Sequence, residues 1–322
     1  MTMNRRDLIA MGLAAGIPGL ARAAFPADKP INVIVPFPPG GRTDLTARLL
    51  AQHMTRHIGQ SMVIVNKPGA GGAIGSREVA AAQPDGYTLG VFSTAAVTAQ
   101  YTLSPPLNLK DFVAVRTVNL DPMALAVKAD APWKSLRELV AHGARNSGQL
   151  KVGMIPGASA EIFAAAFATA SKLKVLYVPF KGDSDGALAL AGGHIDVHVA
   201  VPASYKALVD GNKVRMLGIA AEQRSPMYEN LATFRDNGVD LVIGSFHMLF
   251  APSRTPVPIL RQLEEASGRA MREPDLVRQM EAASLGYANM DMKETEAFLS
   301  QQDAAYRRVI TEAGLLATQA SK

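Results

Sequence analysis

Three times in this chain a short apolar run stops at proline or glycine, and small polar residues then open a helical pattern. The three turns are PFPPGGRTD at 36–44, MIPGASAE at 154–161 and PFKGDSDG at 179–186. A strand that repeatedly feeds a helix implies parallel strands joined by crossovers, so the chain is read as α/β. Around these turns the pattern predicts strands at 31–35, 61–65, 87–92, 112–119, 123–128, 151–155, 175–178, 195–199, 214–220 and 241–245. Helical spacing covers 44–58, 73–82, 135–144, 160–171, 187–191, 258–271 and 295–313. Within 44–58 the apolar face is read as Leu45, Leu49, Leu50 and Met54.

In open α/β sheets a ligand sits at the carboxyl ends of the strands. Helix N-termini there carry unpaired N–H groups and a partial positive charge, which suits an anion. Gly40 and Gly41 let backbone approach a ligand closely, and Thr43 or Asp44 can cap the helix that follows. One such turn is as readily a bare connection as an anion grip. The turn at 36–44 lacks the Gly-Lys-Ser/Thr ending of a phosphate loop. GAGGAIG at 69–75 misses the dinucleotide glycine spacing, and 69–72 is read as a tight connection packing backbone on backbone.

Composition narrows the chemistry further. The chain has 322 residues, enough for two domains with real cores. It has no cysteine, which excludes disulfides, thiolate metal sites and cysteine nucleophiles. Its net charge of +5 is scattered, without the dense basic runs of a nucleic-acid binder. His53 and His57, and His194 and His198, sit four apart, but no Glu lies between the first pair as a zinc peptidase needs; these histidines are read as surface residues. No Gly-x-Ser-x-Gly elbow is present, and no carboxylate pair is singled out, so no metal, cofactor or catalytic group is expected.

Residues 1–24 read as an address. A basic start, a short apolar stretch over 8–20 and Ala21-Arg22-Ala23 form a secretory signal cut after Ala23 or Ala24. Arg5-Arg6 with Asp7-Leu8-Ile9 resembles a twin-arginine signal, and a Sec signal is the alternative. The stretch is too short and too broken by Gly and Pro to span a bilayer. The mature chain is expected in the periplasm.

KPINVIVPFPPGGRTDLTARLL, NKPGAGGAIGSREVAAAQPDGYTL, KDFVAV, VPFKGDSDGALALAGGHIDV, VRMLGIAAEQRSP and LFAPSRTP follow one another along nearly the whole mature chain. In that order they closely resemble the Bug receptors, the TctC-type substrate-binding proteins of tripartite tricarboxylate transport systems. The resemblance implies a type II-like periplasmic binding protein. It would have two domains, each a mostly parallel sheet flanked by helices, with a ligand cleft between them and two crossing strands. Domain one maps to 25–124 plus 244–322 and domain two to 125–243. The implied function is capture of a small carboxylate or amino-acid-like metabolite by closure, then docking on membrane subunits. No catalysis is implied, and a monomer is expected. A secreted hydrolase or isomerase on the same scaffold, or a ligand-sensing adaptor for a kinase, remain alternatives.

The resemblance also implies a site. Phe37 and Pro38 would wall the ligand, Gly40 and Gly41 would offer N–H groups, and Asp44 belongs to the same motif. Ser93 and Thr94 would donate hydroxyls. Gly157, Ala158, Ser159, Lys181 and Gly182 would come from domain two, and Asp196 would meet an amine or hydroxyl. Arg42, where the family is often small, would pair bidentately with a second carboxylate if it points inward. Further departures are Ala158 and Glu161 in the turn after 151–155, Phe180 and Lys181 where Tyr-Arg is common, Asp185 in place of a proline, and Phe246 in place of a tryptophan. Asp183, Asp185 and Glu161 add acids beside the cleft, which would suit a ligand that also carries an amine.

Overall fold

The computed structural model describes residues 25–27, 29–156, 159–224, 228 and 230–317. The expected export signal and two expected ligand residues, Gly157 and Ala158, lie outside them.

The first strand-turn-helix unit sets the pattern for the rest. β1 (Ile31–Val35) is buried at four of its five positions, as a strand covered on both faces must be. α1 (Arg42–Ile58) buries Ala47, Leu50, Ala51, Met54 and Ile58, a stripe at helical spacing. That stripe is rotated from the expected face: Leu45 is 38% exposed, because the side turned to the sheet is lined by alanines as well as large residues. Gly59 ends the helix in a left-handed conformation and returns its N–H to the Thr55 carbonyl. β2 (Met62–Asn66), α2 (Ala73–Ala81), β3 (Thr88–Ser93), α3 (Thr94–Thr102) and β4 (Phe112–Pro122) follow.

The chain then leaves this sheet. β5 (Ala124–Lys128), α4 (Leu136–Arg145), β6 (Lys151–Met154), α5 (Ser159–Ala170), β7 (Leu176–Pro179), α6 (Asp183–Ala191), β8 (Val197–Ala200), α7 (Lys206–Asp210) and β9 (Val214–Ile219) build a second sheet. β10 (Gly244–Pro252) returns to the first, and α8 (Val257–Met271), α9 (Pro274–Ala282) and α10 (Met292–Glu312) finish the chain. The first sheet has the order β2-β1-β3-β10-β4 and the second β7-β6-β8-β5-β9. In each, one strand runs against the other four: β10 is antiparallel to β3 and β4, and β5 to β8 and β9. Both sheets are therefore mixed, with a dominant direction.

The lone antiparallel strands are the ones next to the crossings. Pro122 ends β4 and Ala124 begins β5; the return passes from Ile219 to Gly244. The crossings bond each other: Ala220 N–H reaches Met123 O at 2.8 Å and Ile243 N–H reaches Ala220 O at 3.1 Å. α1 packs on α8 and α9 on one face of the first sheet, while α10 lies against α3, β4 and α5, the last a helix packed on the second sheet.

Some elements differ from the sequence reading for identifiable reasons. β10 runs to Pro252, not 245, because its buried positions are continuous and show no alternation. α3 was not expected, since TAAVTAQYT has almost no apolar asymmetry; its buried threonines and alanines are covered by tertiary neighbours. α9 is a nine-residue helix started by Pro274. α6 begins at Asp183, one turn before the apolar spacing. In the glycine turn at 69–72 the close neighbours are side chains, Ile74 at Gly69; backbone meets backbone only past it, at Gly75 on α2, where a Cβ would lie 2.9 Å from both Lys67 O and Pro36 Cα. Gly72, at φ +95°, accepts the Phe37 ring, with 3.2 Å from its would-be Cβ to Phe37 Cζ.

Candidate ligand-binding cleft

Topology decides which edges of the sheets face each other. β1, β3 and β4 run one way, so Val35, Ser93 and Pro122 end at one edge, and the crossing to the second sheet leaves from there. β5 starts just past the crossing with Ala124 opposite Ala200 of antiparallel β8. The carboxyl ends of β6, β7 and β8 therefore lie at that same junction. The turns after β1 and β3 oppose those after β6, β7 and β8, the arrangement in which α/β proteins hold ligands.

The turn after β1 is built as an open helix end. Gly40 sits at φ +83°, and Gly41 caps α1 without a side chain. Among the described residues nothing accepts a hydrogen bond from the amides of Gly41, Arg42, Thr43 or Asp44. Asp44, the acid in the first turn, does not accept from these four amides. Its carboxylate takes the Gly40 N–H at 2.9 Å, Arg48 Nε at 2.9 Å and Asn66 Nδ2 at 2.9 Å. Burial raises its pKa, but the bonds from Arg48, Gly40 and Asn66 outweigh that and hold it below the usual carboxylate range. The helix dipole and its free amides are left for another negative group.

Arg42 stands beside this end with its fork occupied. One guanidinium nitrogen contacts Asp121 Oδ2 at 2.5 Å and the other donates to Ser284 O at 3.2 Å. Asp121 also accepts the Gly286 N–H at 2.8 Å. Across the junction, burial raises the pKa of Asp183, opposed by a bond from Ser204 Oγ at 3.1 Å and by the charge of Arg42. Gly182 caps α6 without a side chain, as Gly41 caps α1, but Asp183 and Asp185 fill the first turn of α6 with negative charge. Both first turns thus carry acid, that of α1 paired with Arg48, while among the described residues Asp183 and Asp185 form no ion pair.

Behind Asp183, Tyr205 Oη lies 3.0 Å from His198 Nδ1, both fully buried. Burial lowers the His198 pKa to about 4 and keeps the ring neutral. Beside the Arg42–Asp121 pair a cavity of about 760 Å³ opens between the lobes, lined among others by Asp121, Pro122, Ala203, Lys206, Tyr228 and Tyr287.

With this geometry in view, comparison with known proteins is informative. The family model of the tripartite tricarboxylate transporter family receptor, TctC, matches residues 46–315. The chain belongs to that family. Protein BugT of Bordetella pertussis is 28% identical over 97% of this receptor and 99% of its own length. The crystal structure of a TctC solute binding protein from Polaromonas superposes with a TM-score of 0.81 at 31% identity, covering 89% of the receptor and 99% of that chain. MatC from Rhodopseudomonas palustris, solved with bound malate, gives 0.71 at 28% identity, covering 87% and 98%. The fold is that of the two-domain periplasmic binding proteins.

The expected ligand residues of the receptor separate into groups. Pro38, Gly40 and Gly41 lie exposed on the turn before α1, and Phe37 is half-buried against Gly72. Ser159 starts α5, Gly182 caps α6, and Lys181 is exposed beside it. Ser93 caps α3, accepting the Ala95 N–H at 3.3 Å. Thr94 is buried and holds the start of β10, with Phe246 N–H at 3.0 Å from its hydroxyl. Asp196 needs correction: its carboxylate takes the Lys151 N–H at 2.8 Å, at the amino-terminal ends of β6 and β8 and so at the far edge of the sheet. Asp44 is bonded to Gly40, Arg48 and Asn66, and Arg42 to Asp121 and the Ser284 carbonyl, its Nε meeting no acceptor among the described residues. His53 and His57 are not a bare surface pair. His53 is 1% exposed, and Glu273 bridges the two at 2.5 and 2.6 Å. Among the described residues no cluster of three metal-ligating side chains exists.

His247, Asn119, Asp121 and Ser204 were not foreseen. Each lies on or beside a crossing or a strand end, and no local motif marks them.

Proposed function

We propose that this receptor captures a small carboxylate-bearing metabolite between its two lobes and delivers it to the membrane subunits of a tripartite tricarboxylate-type transporter. The observation that carries the reading is the uncapped amino end of α1, whose amides at 41–44 meet no acceptor among the described residues while Asp44 is bonded elsewhere. An anion at such an end gains about 0.3–2 kcal/mol from the dipole, beyond its hydrogen bonds. Malate bound to MatC, a related protein, supports a carboxylate.

The lobes are assigned to 25–124 plus 244–322 and to 125–243, with export to the periplasm by the segment at 1–24. Ligand bridging both lobes favours the closed form, and closure rather than chemistry is the functional step. The receptor performs no catalysis in this reading.

Thermal denaturation of the exported protein, freed of co-purified ligand by unfolding and refolding, tests it. Malate, adipate, simple monocarboxylates and amino acids are the probes. A true ligand at about a hundred times its Kd adds about 2.7 kcal/mol, which raises Tm by several degrees for a chain of this size. No shift with any carboxylate would sink the assignment.

A further inference from the structure

A row of buried polar groups links the crossing strands to the open end of α1. Asn119 on β4 and His247 on β10 are paired residues, beside a register shift between His247 and Met248. Asn119 Nδ2 donates to Gly286 O at 2.6 Å, which aims its Oδ1 at His247 Nδ1, 2.7 Å away. An amide oxygen only accepts, so Nδ1 carries the ring proton. His247 Nε2 lies 3.0 Å from Thr43 Oγ1. In a neutral ring that nitrogen accepts, so the Thr43 hydroxyl donates to it. Asn119 is 0%, His247 2% and Thr43 6% exposed, so no water competes for these bonds. Each donor has one acceptor, and reversing any bond breaks the next.

We infer that His247 is a positioning residue: through Thr43, the second residue of α1, it holds the ligand-facing amides of that helix in register with both crossing strands. The inference rests on the carboxylate reading of that helix end. Fixing the donors before ligand arrives removes an ordering cost from binding. The link also joins the strands that must twist on closure to the turn that meets the ligand.

The same order of groups, hydroxyl to imidazole to amide, is the arrangement of a nucleophile, its base and an orienting group. Here it lacks what that chemistry needs. Burial, and then the charge of Arg42, lower the His247 pKa to about 3, so the ring is a poor proton acceptor at neutral pH. Asn119 brings no charge to stabilise a protonated ring, and Thr43 is buried.

The test compares wild type, His247→Leu, His247→Gln, Thr43→Val and the His247→Leu/Thr43→Val pair. In the apo protein, nitrogen NMR of His247 should show the Nδ1–H tautomer at pH 7. Amide exchange at Leu45–Ala47 should speed up in His247→Leu and in Thr43→Val, and no further in the pair. His247→Gln, which keeps a donor and an acceptor on one planar group, should restore protection. Titration with malate and adipate should show affinity for whichever probe binds falling about tenfold in His247→Leu and recovering in His247→Gln. An Nε2–H tautomer, exchange effects that add, or unchanged affinity in His247→Leu would overturn the inference. An acyl group left on Thr43 by an activated ester would overturn it in favour of catalysis. If wild type binds neither probe, the carboxylate reading is what suffers, and the tautomer and exchange data still decide the role of His247.

Discussion

His198 and His247 are both buried and both neutral, with pKa values lowered to about 4 and about 3, mainly by burial. In the unfolded chain each takes a proton near pH 6.5. Between that pH and the folded values the unfolded state binds more protons, so the stability contributed by each ring is full above about pH 6.5 and is lost as pH falls toward 4 and 3. Each costs about 1.4 kcal/mol per pH unit once the unfolded ring is fully charged. Urea denaturation from pH 7.5 to 4.5 should show this slope, and His247→Gln should shallow it by one proton's share. An unchanged slope would mean that His247 is already charged in the fold. Gly75 provides a second check at this scale. Its position admits no Cβ between Lys67 O and Pro36 Cα, so Gly75→Ala should destabilise by about 1–3 kcal/mol by overpacking. It should also move the Pro36 backbone that begins the turn before α1, which chemical-shift changes at Gly40 and Gly41 would report.

At the scale of elements, the crossing strand β4 is anchored by a cation with no carboxylate on it. Arg116 is 5% exposed and donates to Ser267 Oγ at 2.9 Å, Asn289 Oδ1 at 2.6 Å and Glu264 O at 2.9 Å. It ties β4 to α8 and to the segment before α10, and burial lowers its pKa. Arg116→Ala should cost about 1–3 kcal/mol, the penalty for leaving buried acceptors without their donor. Arg116→Met, which keeps the stem and its packing, should cost less. Equal losses in urea denaturation would show that the bonds alone matter. The elements themselves were legible where apolar spacing was strong, as in β1, α1 and α8. They were not where burial comes from neighbours: α3 has small residues on every side, and β10 is buried on both faces, so neither shows a period.

At the scale of the molecule, two sheets of matching order meet at the junction formed by Met123, Ala220 and Ile243, whose backbones bond one another. Ligand capture should pivot there. Small-angle scattering should show a smaller radius of gyration with ligand, while Thr94→Val, which frees the Phe246 N–H at the start of β10, should weaken that response without moving the turn before α1. A ligand that raises Tm but leaves the scattering unchanged would argue against closure. By itself the amino-acid sequence determined the α/β class, the strand-turn-helix units and the glycine turns at strand ends, because these follow from spacing and from the conformations only glycine and proline allow. It also marked the family through its ordered motifs. Only the tertiary structure decided which polar side chains face the junction. Asp44 is bonded to Gly40, Arg48 and Asn66, Arg42 is claimed by Asp121 from 79 residues away, and Asp196 sits at the far edge of its sheet. His247 reaches Thr43 across 204 residues of chain. A side chain's partner depends on distances set by the packed sheets, and no local pattern along the chain encodes them.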